Sequence, residues 1–259
     1  MQLNDTRDLN VFNCITFEET AHKYFIDGKE SAKHSVTGLI NKYKPKFEED
    51  KWARIKAKSL NISVDEMKFI WAEKNLYSTT LGTELHRLIE CVYTSEDYKF
   101  ENDRIKLSIG DEAYKLFSNH LCTITKHFKN FYVHTKEYIQ PVANELTVGD
   151  IKGTRVCGTL DMLAYNKQEN CFEIYDFKTN KSITYSSTYK EKFNKPLDDL
   201  QVCEFNTYSL QLSIYKYIIE KYTSLKIKNL YIVWFNIDNA DFKLIPCNYL
   251  GTHVCQILS

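Results

Sequence analysis

The stretch Cys171–Lys181, CFEIYDFKTNK, decides how the chain is read. Most of it is apolar or aromatic, as suits a buried strand, yet it ends with an acid and a lysine two residues apart. Side chains alternate across a strand, so Phe172, Ile174, Asp176 and Lys178 share one face while Glu173, Tyr175 and Phe177 share the other. Asp176 and Lys178 therefore project together, and Glu173 is not expected to join them. Two accounts fit: the strand end emerges into water, or a site holds the two groups side by side.

Outward from that stretch, YIQPVANELTVG and TRVCGTLDMLAY precede it as two more strands with short turns between them. After it, LDDLQVCEFNTYSLQLSIYKYIIEKY has the spacing of a long helix, NLYIVWFNID reads as a very apolar strand, and DFKLIPCN as an edge strand. Before the strands the pattern is helical: SVTGLINKY with Ser35 as N-cap, FEEDKWARIKAKSL, VDEMKFIWAEKN, STTLGTELHRLIECVY, and a further helix near residues 111–131. In STTLGTELHRLIECVY, residues Leu81, Leu85, Leu88, Ile89 and Val92 fall at helical spacing and are expected to face the core. The opening CITFEETAHKYFIDGKE reads as a hairpin. This order predicts an α/β fold with a central mixed sheet flanked by helices and a helical N-terminal layer. No linker divides it, so one domain over residues 1–259 is expected: the hairpin to 34, the helical layer over 35–131, and the sheet core over 132–259.

Composition narrows the function classes. With 34 basic and 34 acidic residues the formal net charge is zero, so a nucleic-acid partner requires local rather than global positive charge. No run of about eighteen apolar residues occurs, and MQLNDTRDLN has neither an apolar signal core nor an Arg-rich transit character. The expectation is a protein that is neither membrane-bound nor secreted, in the cytoplasm of a bacterial cell or phage-infected host. Eight cysteines without a CxxC suit reduced thiols better than a disulfide frame or a zinc site. The abundance of Lys, Asn, Ile, Tyr and Phe is what AT-rich coding produces, as in a virus, phage or AT-rich bacterium.

If the strands bearing Asp161 and Asp176 pair as an antiparallel hairpin through NKQEN, the two carboxylates lie near one another. Such a pair repels unless a proton or cation sits between them. Magnesium takes one or two carboxylates with waters and phosphate oxygens, so Mg²⁺ or Mn²⁺ at a phosphodiester fits this chemistry. Lys178 beside the metal can orient or help deprotonate an attacking water and offset developing negative charge. Each residue alone also has an ordinary structural role: Asp-x-Lys as a solvated edge, a histidine within a core or on a surface, a helix-surface pair.

The combination G-x-x-D, then E-I-x-D-F-K-T, resembles the core motif of the PD-(D/E)XK nuclease superfamily. LGTELHRLIE resembles the glycine-to-histidine helix motif of its RecB-type branch, ANELTV supplies the acid on the preceding strand, and YSLQLSIYKY supplies Q-x-x-x-Y. SVTGLINKYKPKFEEDKWARIKA is similar to the opening of mitochondrial genome maintenance exonucleases and related phage nucleases. The resemblance implies a restriction-endonuclease-like fold and a Mg²⁺- or Mn²⁺-dependent deoxyribonuclease, an exonuclease on single-stranded DNA ends. It implies metal ligation by His86, Asp161, Asp176 and the carbonyl of Phe177. Lys178 and Glu145 would position the water, and Gln211 and Tyr215, on one helical face, would steady the site or substrate. Some relatives hold an iron–sulfur cluster through a compact C-terminal cysteine group; here that region has only Cys247 and Cys255, so no cluster is expected. A structure-selective or restriction-like endonuclease uses the same core, and a non-catalytic DNA-binding or inhibitory protein is the reading from another class.

Local charge offers a path for DNA. KTNKSITYSSTYKEKFNKP carries five lysines against one acid and is interleaved with aromatic rings; Lys181, Tyr185, Lys190, Lys192 and Lys195 are its candidate contacts. NKYKPKFEEDKWARIKAK forms a second set, diluted by three acids, with Arg54 as its candidate. Ser35 and Thr37 stand at a helix start, where Ser35 can cap the helix or meet a phosphate.

Overall fold

The computed structural model describes residues 3–18, 21, 23–31 and 34–258. A 3-10 helix, Leu3–Cys14, leads into β1 (Ile15–Glu18), β2 (Lys23–Ile26) and β3 (Lys29–Glu30), which pair as a small antiparallel sheet. The expected hairpin is thus extended by a third strand, reached through Asp27 and Gly28, both in the left-handed region. Residues 19, 20 and 22 of its first turn lie outside the described residues.

The helical layer comprises α1 (Val36–Lys42), α2 (Glu49–Leu60), α3 (Val64–Thr94), α4 (Asn102–Ile109) and α5 (Asp111–Thr135). Ser35 caps α1 by accepting the Gly38 N–H, and Ser63 with Glu66 forms a reciprocal capping box at the start of α3. The expected break between VDEMKFIWAEKN and STTLGTELHRLIECVY does not occur; one 31-residue helix spans both. Thr79 and Thr80 do not interrupt it because their hydroxyls donate back to the carbonyls of Asn75 and Leu76. Leu81, Leu85 and Ile89 are buried as expected, but Val92 is 42 % exposed. Val92 shares the face of Leu85 but stands in the last turn of α3, which ends at Thr94.

The main sheet consists of β4 (Ile139–Gly149), β5 (Cys157–Asn166), β6 (Cys171–Lys178), β7 (Ile227–Trp234) and β8 (Lys243–Pro246), in that spatial order. All neighbours are antiparallel except β6 and β7, which run parallel. A parallel pair needs a long crossover, supplied by the loop of residues 179–203 and α6 (Glu204–Tyr222). The segment from Leu197 to Val202, expected as the first turns of α6, instead forms turns and a bridge between Lys192 and Gln201. The chain closes with α7 (Gly251–Ile257), which the sequence pattern did not signal.

The alternation along β6 builds two cores. Phe172 and Ile174 pack on the α6 side with Leu210, Ile214 and Ile218, whereas Tyr175 and Phe177 pack on the other side with Leu85, Phe128 and Phe131. Each large apolar side chain removed from water contributes about 1.5–3 kcal/mol, so the two faces fix the strand register. That register leaves Asp176 and Lys178 at the end of a strand covered by helices on both sides. The protein is therefore a mixed α/β structure with a five-stranded sheet flanked by helices. Among the described residues no helix is long and apolar enough to cross a membrane.

Candidate active site

Five elements converge at the end of β6: α3 brings His86, β4 Glu145, β5 Asp161, β6 Asp176 and Lys178, and α6 Gln211 and Tyr215. β5 and β6 pair regularly as far as Met162 and Tyr175. Beyond that point the Asp161 carboxylate enters the gap between the strands, and its Oδ2 accepts the Phe177 N–H at 2.6 Å. The facing of β5 changes at the same place. Leu160 packs on the α6 side and Met162 on the α3/α5 side, although residues two apart in a regular strand share a face.

Glu145 stands out on β4 because its φ is +47°. Left-handed backbone in a non-glycine residue costs on the order of 1–3 kcal/mol. Here it accompanies a carboxylate whose Oε1 is 3.4 Å from His86 Nδ1. Asp161 Oδ1 lies 3.7 Å from the same nitrogen. The Nε2 of His86 is 3.0 Å from the Phe177 carbonyl, which can only accept, so Nε2 carries a hydrogen and Nδ1 faces the acids.

His86, Glu145 and Asp161 offer donor atoms within 4.8 Å of one another. Two carboxylates and a ring nitrogen aimed at one point call for a cation, either a proton on the imidazole or a metal ion. Burial disfavours a charged His86, but Asp161 and Glu145 outweigh it and hold the imidazole pKa up at about 9. A hard divalent cation such as Mg²⁺ or Mn²⁺ suits the two carboxylates, and the imidazole is tolerated by Mn²⁺ in particular. The donor set therefore fits a divalent ion.

Asp176 and Lys178 form a second unit, paired at 2.6 Å between Oδ2 and Nζ. Burial pushes the Asp176 carboxyl above its ordinary range, and Lys178 opposes that shift. Burial also disfavours the charged Lys178, but the Asp176 and Asp161 carboxylates outweigh it and hold the ammonium above its usual pKa. Gln211 Nε2 lies 3.5 Å from both Asp176 Oδ1 and the Tyr215 hydroxyl. Tyr215 donates to the Thr159 carbonyl at 2.9 Å and so ties α6 to β5. Gly158, the glycine of G-x-x-D, permits this approach: a Cβ there would lie 2.9 Å from the Tyr215 ring.

Two clefts reach these groups. His86 and Glu145 line one of about 520 Å³ together with Tyr24, Thr83 and Arg87. Gln211 lines a larger groove of about 830 Å³ whose walls include Thr37 and Lys44, Thr184 of the crossover loop, and Tyr208. Tyr208 was not signalled by the sequence motifs. Its ring lies 5.2 Å from Lys178 Nζ, and its position three residues before Gln211 on one helix was the legible clue.

The candidate DNA contacts are dispersed. Thr37 lies in the large groove, whereas Ser35 is engaged in capping α1. Lys190, Lys192 and Lys195 are exposed along the crossover loop, and Arg54 is exposed on α2. Tyr185 is exposed with its ring 4.7 Å from that of Phe205. Lys181 borders a separate depression with Lys74 and His120.

No family model matches the chain, and no curated protein matches it. Among solved structures it is similar to a "Putative exonuclease" from Eubacterium rectale, at 15 % identity and a TM-score of 0.44 over 70 % of this chain and 63 % of that one. It therefore spans less than two thirds of that protein's length. It is also similar to SSO0001, at 13 % identity and a TM-score of 0.29 over 68 % of this chain and 82 % of that one.

Proposed function

We propose that this protein is a divalent-metal-dependent deoxyribonuclease of the RecB-type PD-(D/E)XK class, acting as an exonuclease on single-stranded DNA ends. The observation that carries the reading is the convergence of His86, Glu145 and Asp161 beside the Asp176–Lys178 pair. Strongly perturbed ionisable groups gathered at a cleft mark a candidate functional site, and here two carboxylates face one imidazole at the mouth of a cleft.

His86 through Nδ1, Glu145 and Asp161 would hold the Mg²⁺ or Mn²⁺ ion, with Asp176 as a neighbouring oxygen donor, while the Phe177 carbonyl accepts the Nε2–H hydrogen on the far side of the His86 ring. The ion, when bound, supplies a Lewis acid for the scissile phosphate. The Phe177 carbonyl orients His86 through Nε2 and so directs Nδ1 at the ligand position. Lys178, kept charged by Asp176, donates hydrogen bonds to the attacking water or a phosphate oxygen and stabilises the negative charge that develops there. Gln211 and Tyr215 keep Asp176 and β5 in register with this site. The hydroxyl and amide groups of the adjoining groove suit a sugar–phosphate backbone held without base readout.

The test is digestion of end-labelled single- and double-stranded DNA with Mn²⁺ and with EDTA, alongside a covalently closed single-stranded circle. Mn²⁺-dependent shortening of linear single strands, with the circle spared, is expected. Cutting of the circle at a comparable rate would assign endonuclease action to the same core. Absence of cleavage of every DNA would leave a non-catalytic DNA-binding protein.

A further inference from the structure

The large groove at Gln211 does not stop at the crossover loop. Lys44, Tyr189 and Val202 line both that groove and a second depression between α2, the start of α3 and the loop. The second depression is rich in aromatic rings. Phe47 and Tyr189 are each 63 % exposed, with Trp71 beside Phe47 at 6.1 Å between centroids and Trp52 beside Tyr189 at 5.0 Å. Exposing two large rings to water at one place is unfavourable unless something covers them.

Charge indicates what that is. Lys44, Lys46, Lys51 and Lys56 line the same depression against Glu48 and Glu191, and Glu48 is already paired with Lys51 at 2.7 Å. A chain that presents flat apolar faces and a regular series of negative charges complements this surface. An unpaired nucleic-acid strand has both, whereas a duplex hides its base faces.

We infer that Phe47 and Tyr189, backed by Trp71 and Trp52, form a base-stacking subsite for single-stranded nucleic acid, joined through the groove to Gln211 and Tyr208 beside the Asp176–Lys178 pair. The inference rests on the reading of the site as one that cleaves DNA. The paired rings are already in contact with each other, so bases stack on the outer faces of Phe47 and Tyr189 rather than between partners. The lysines hold the backbone that joins those bases. A strand engaged here and at Lys178 is gripped at two places, which favours substrates long enough to span the groove.

The test measures binding of labelled single-stranded DNA oligonucleotides to the full chain in EDTA by fluorescence anisotropy, with a duplex of the same sequence as comparison. Two double variants are compared with the natural protein: F47L with Y189L, which keeps bulk without a ring, and F47Y with Y189F, which keeps the ring. The leucine pair is expected to weaken single-strand binding on the order of tenfold per ring, with an unchanged salt slope, while the aromatic pair keeps it. Undiminished binding by the leucine pair overturns the subsite, as does an equal loss for the duplex. Cleavage with Mn²⁺ is run in parallel. Active protein with leucine-indifferent binding refutes the subsite alone, whereas inactive protein with ring-dependent binding refutes the nuclease reading alone. Failure of the natural protein to bind any DNA overturns the subsite as well.

Discussion

Two acids on one strand, Glu173 and Asp176, are equally buried, at 1 % exposure each, and stand in opposite chemical situations. Glu173 is met by neutral donors: the Tyr175 hydroxyl at 2.5 Å, Asn229 Nδ2 at 2.7 Å and Asn166 Nδ2 at 3.2 Å. Its hydrogen bonds stay within the protein and join β6 to β5 and β7. Asp176 instead faces an ammonium and feels the charges of Asp161 and His86, and Gln211 beside it lines a cleft open to the outside. Burial of an acid is thus a weak sign of function. Charged groups whose partners are supplied incompletely by the protein, at a place a ligand can reach, are a stronger one.

The largest effects are expected at the open end of β6. Lys178→Ala and Asp161→Asn are each expected to lower the Mn²⁺-dependent cleavage rate by at least about a thousandfold, roughly 4 kcal/mol, while the protein remains folded. Cleavage assays with melting curves check this, and retained activity in Lys178→Ala would remove that residue from the mechanism. At the closed end, Glu173→Ala strands three amide or hydroxyl donors in the interior. A stability loss of about 3 kcal/mol is expected in urea unfolding, with cleavage per folded molecule unchanged. If cleavage fell with it, the two ends of β6 would not be separate.

Asp150 sharpens the same contrast through pH. This fully buried acid receives Lys221 Nζ at 2.6 Å, the Tyr222 hydroxyl at 2.7 Å and the Thr154 N–H at 2.7 Å. Burial alone would raise its pKa, but those donors together prevail and hold it below the usual carboxylate range. A depressed folded-state pKa means that the stabilisation is fully present above the unfolded value of about 3.9 and is lost as pH falls through the lower folded value. Asp150→Asn is expected to cost about 2 kcal/mol at neutral pH, with the gap from the natural protein narrowing below about pH 4. Unfolding curves across that range decide it; a gap independent of pH would show that the charge of Asp150 is immaterial.

The smallest effect is expected at Tyr208. Replacing it by leucine removes the ring face beside the Lys178 ammonium and should slow cleavage about tenfold, near 1.4 kcal/mol, while phenylalanine restores most of the rate. Equal rates for the leucine and phenylalanine variants would reduce Tyr208 to a wall of the groove.

Much of this organisation was legible in the residues. The period-two pattern of CFEIYDFK put Asp176 and Lys178 on one face because the strand has apolar partners on both sides, and the same alternation sent Glu173 elsewhere. The capping signal at Ser35 was local and therefore readable. Helix boundaries that depend on competing hydrogen bonds were not: Thr79 and Thr80 continue α3, and α6 starts only at Glu204 because the crossover loop takes up Leu197–Val202.

Which residue types stand at the ends of which strands follows from alternation and helical spacing, and so from backbone geometry alone. How those residues meet is set by tertiary packing. Asp161 sits between two strands because β5 changes facing there, Glu145 reaches His86 from left-handed backbone, and Tyr208 lies against Lys178 only after the crossover folds α6 over β6. Those features are departures from ideal strand and helix geometry, held in place by packing on both faces of the sheet, and no local pattern encodes them.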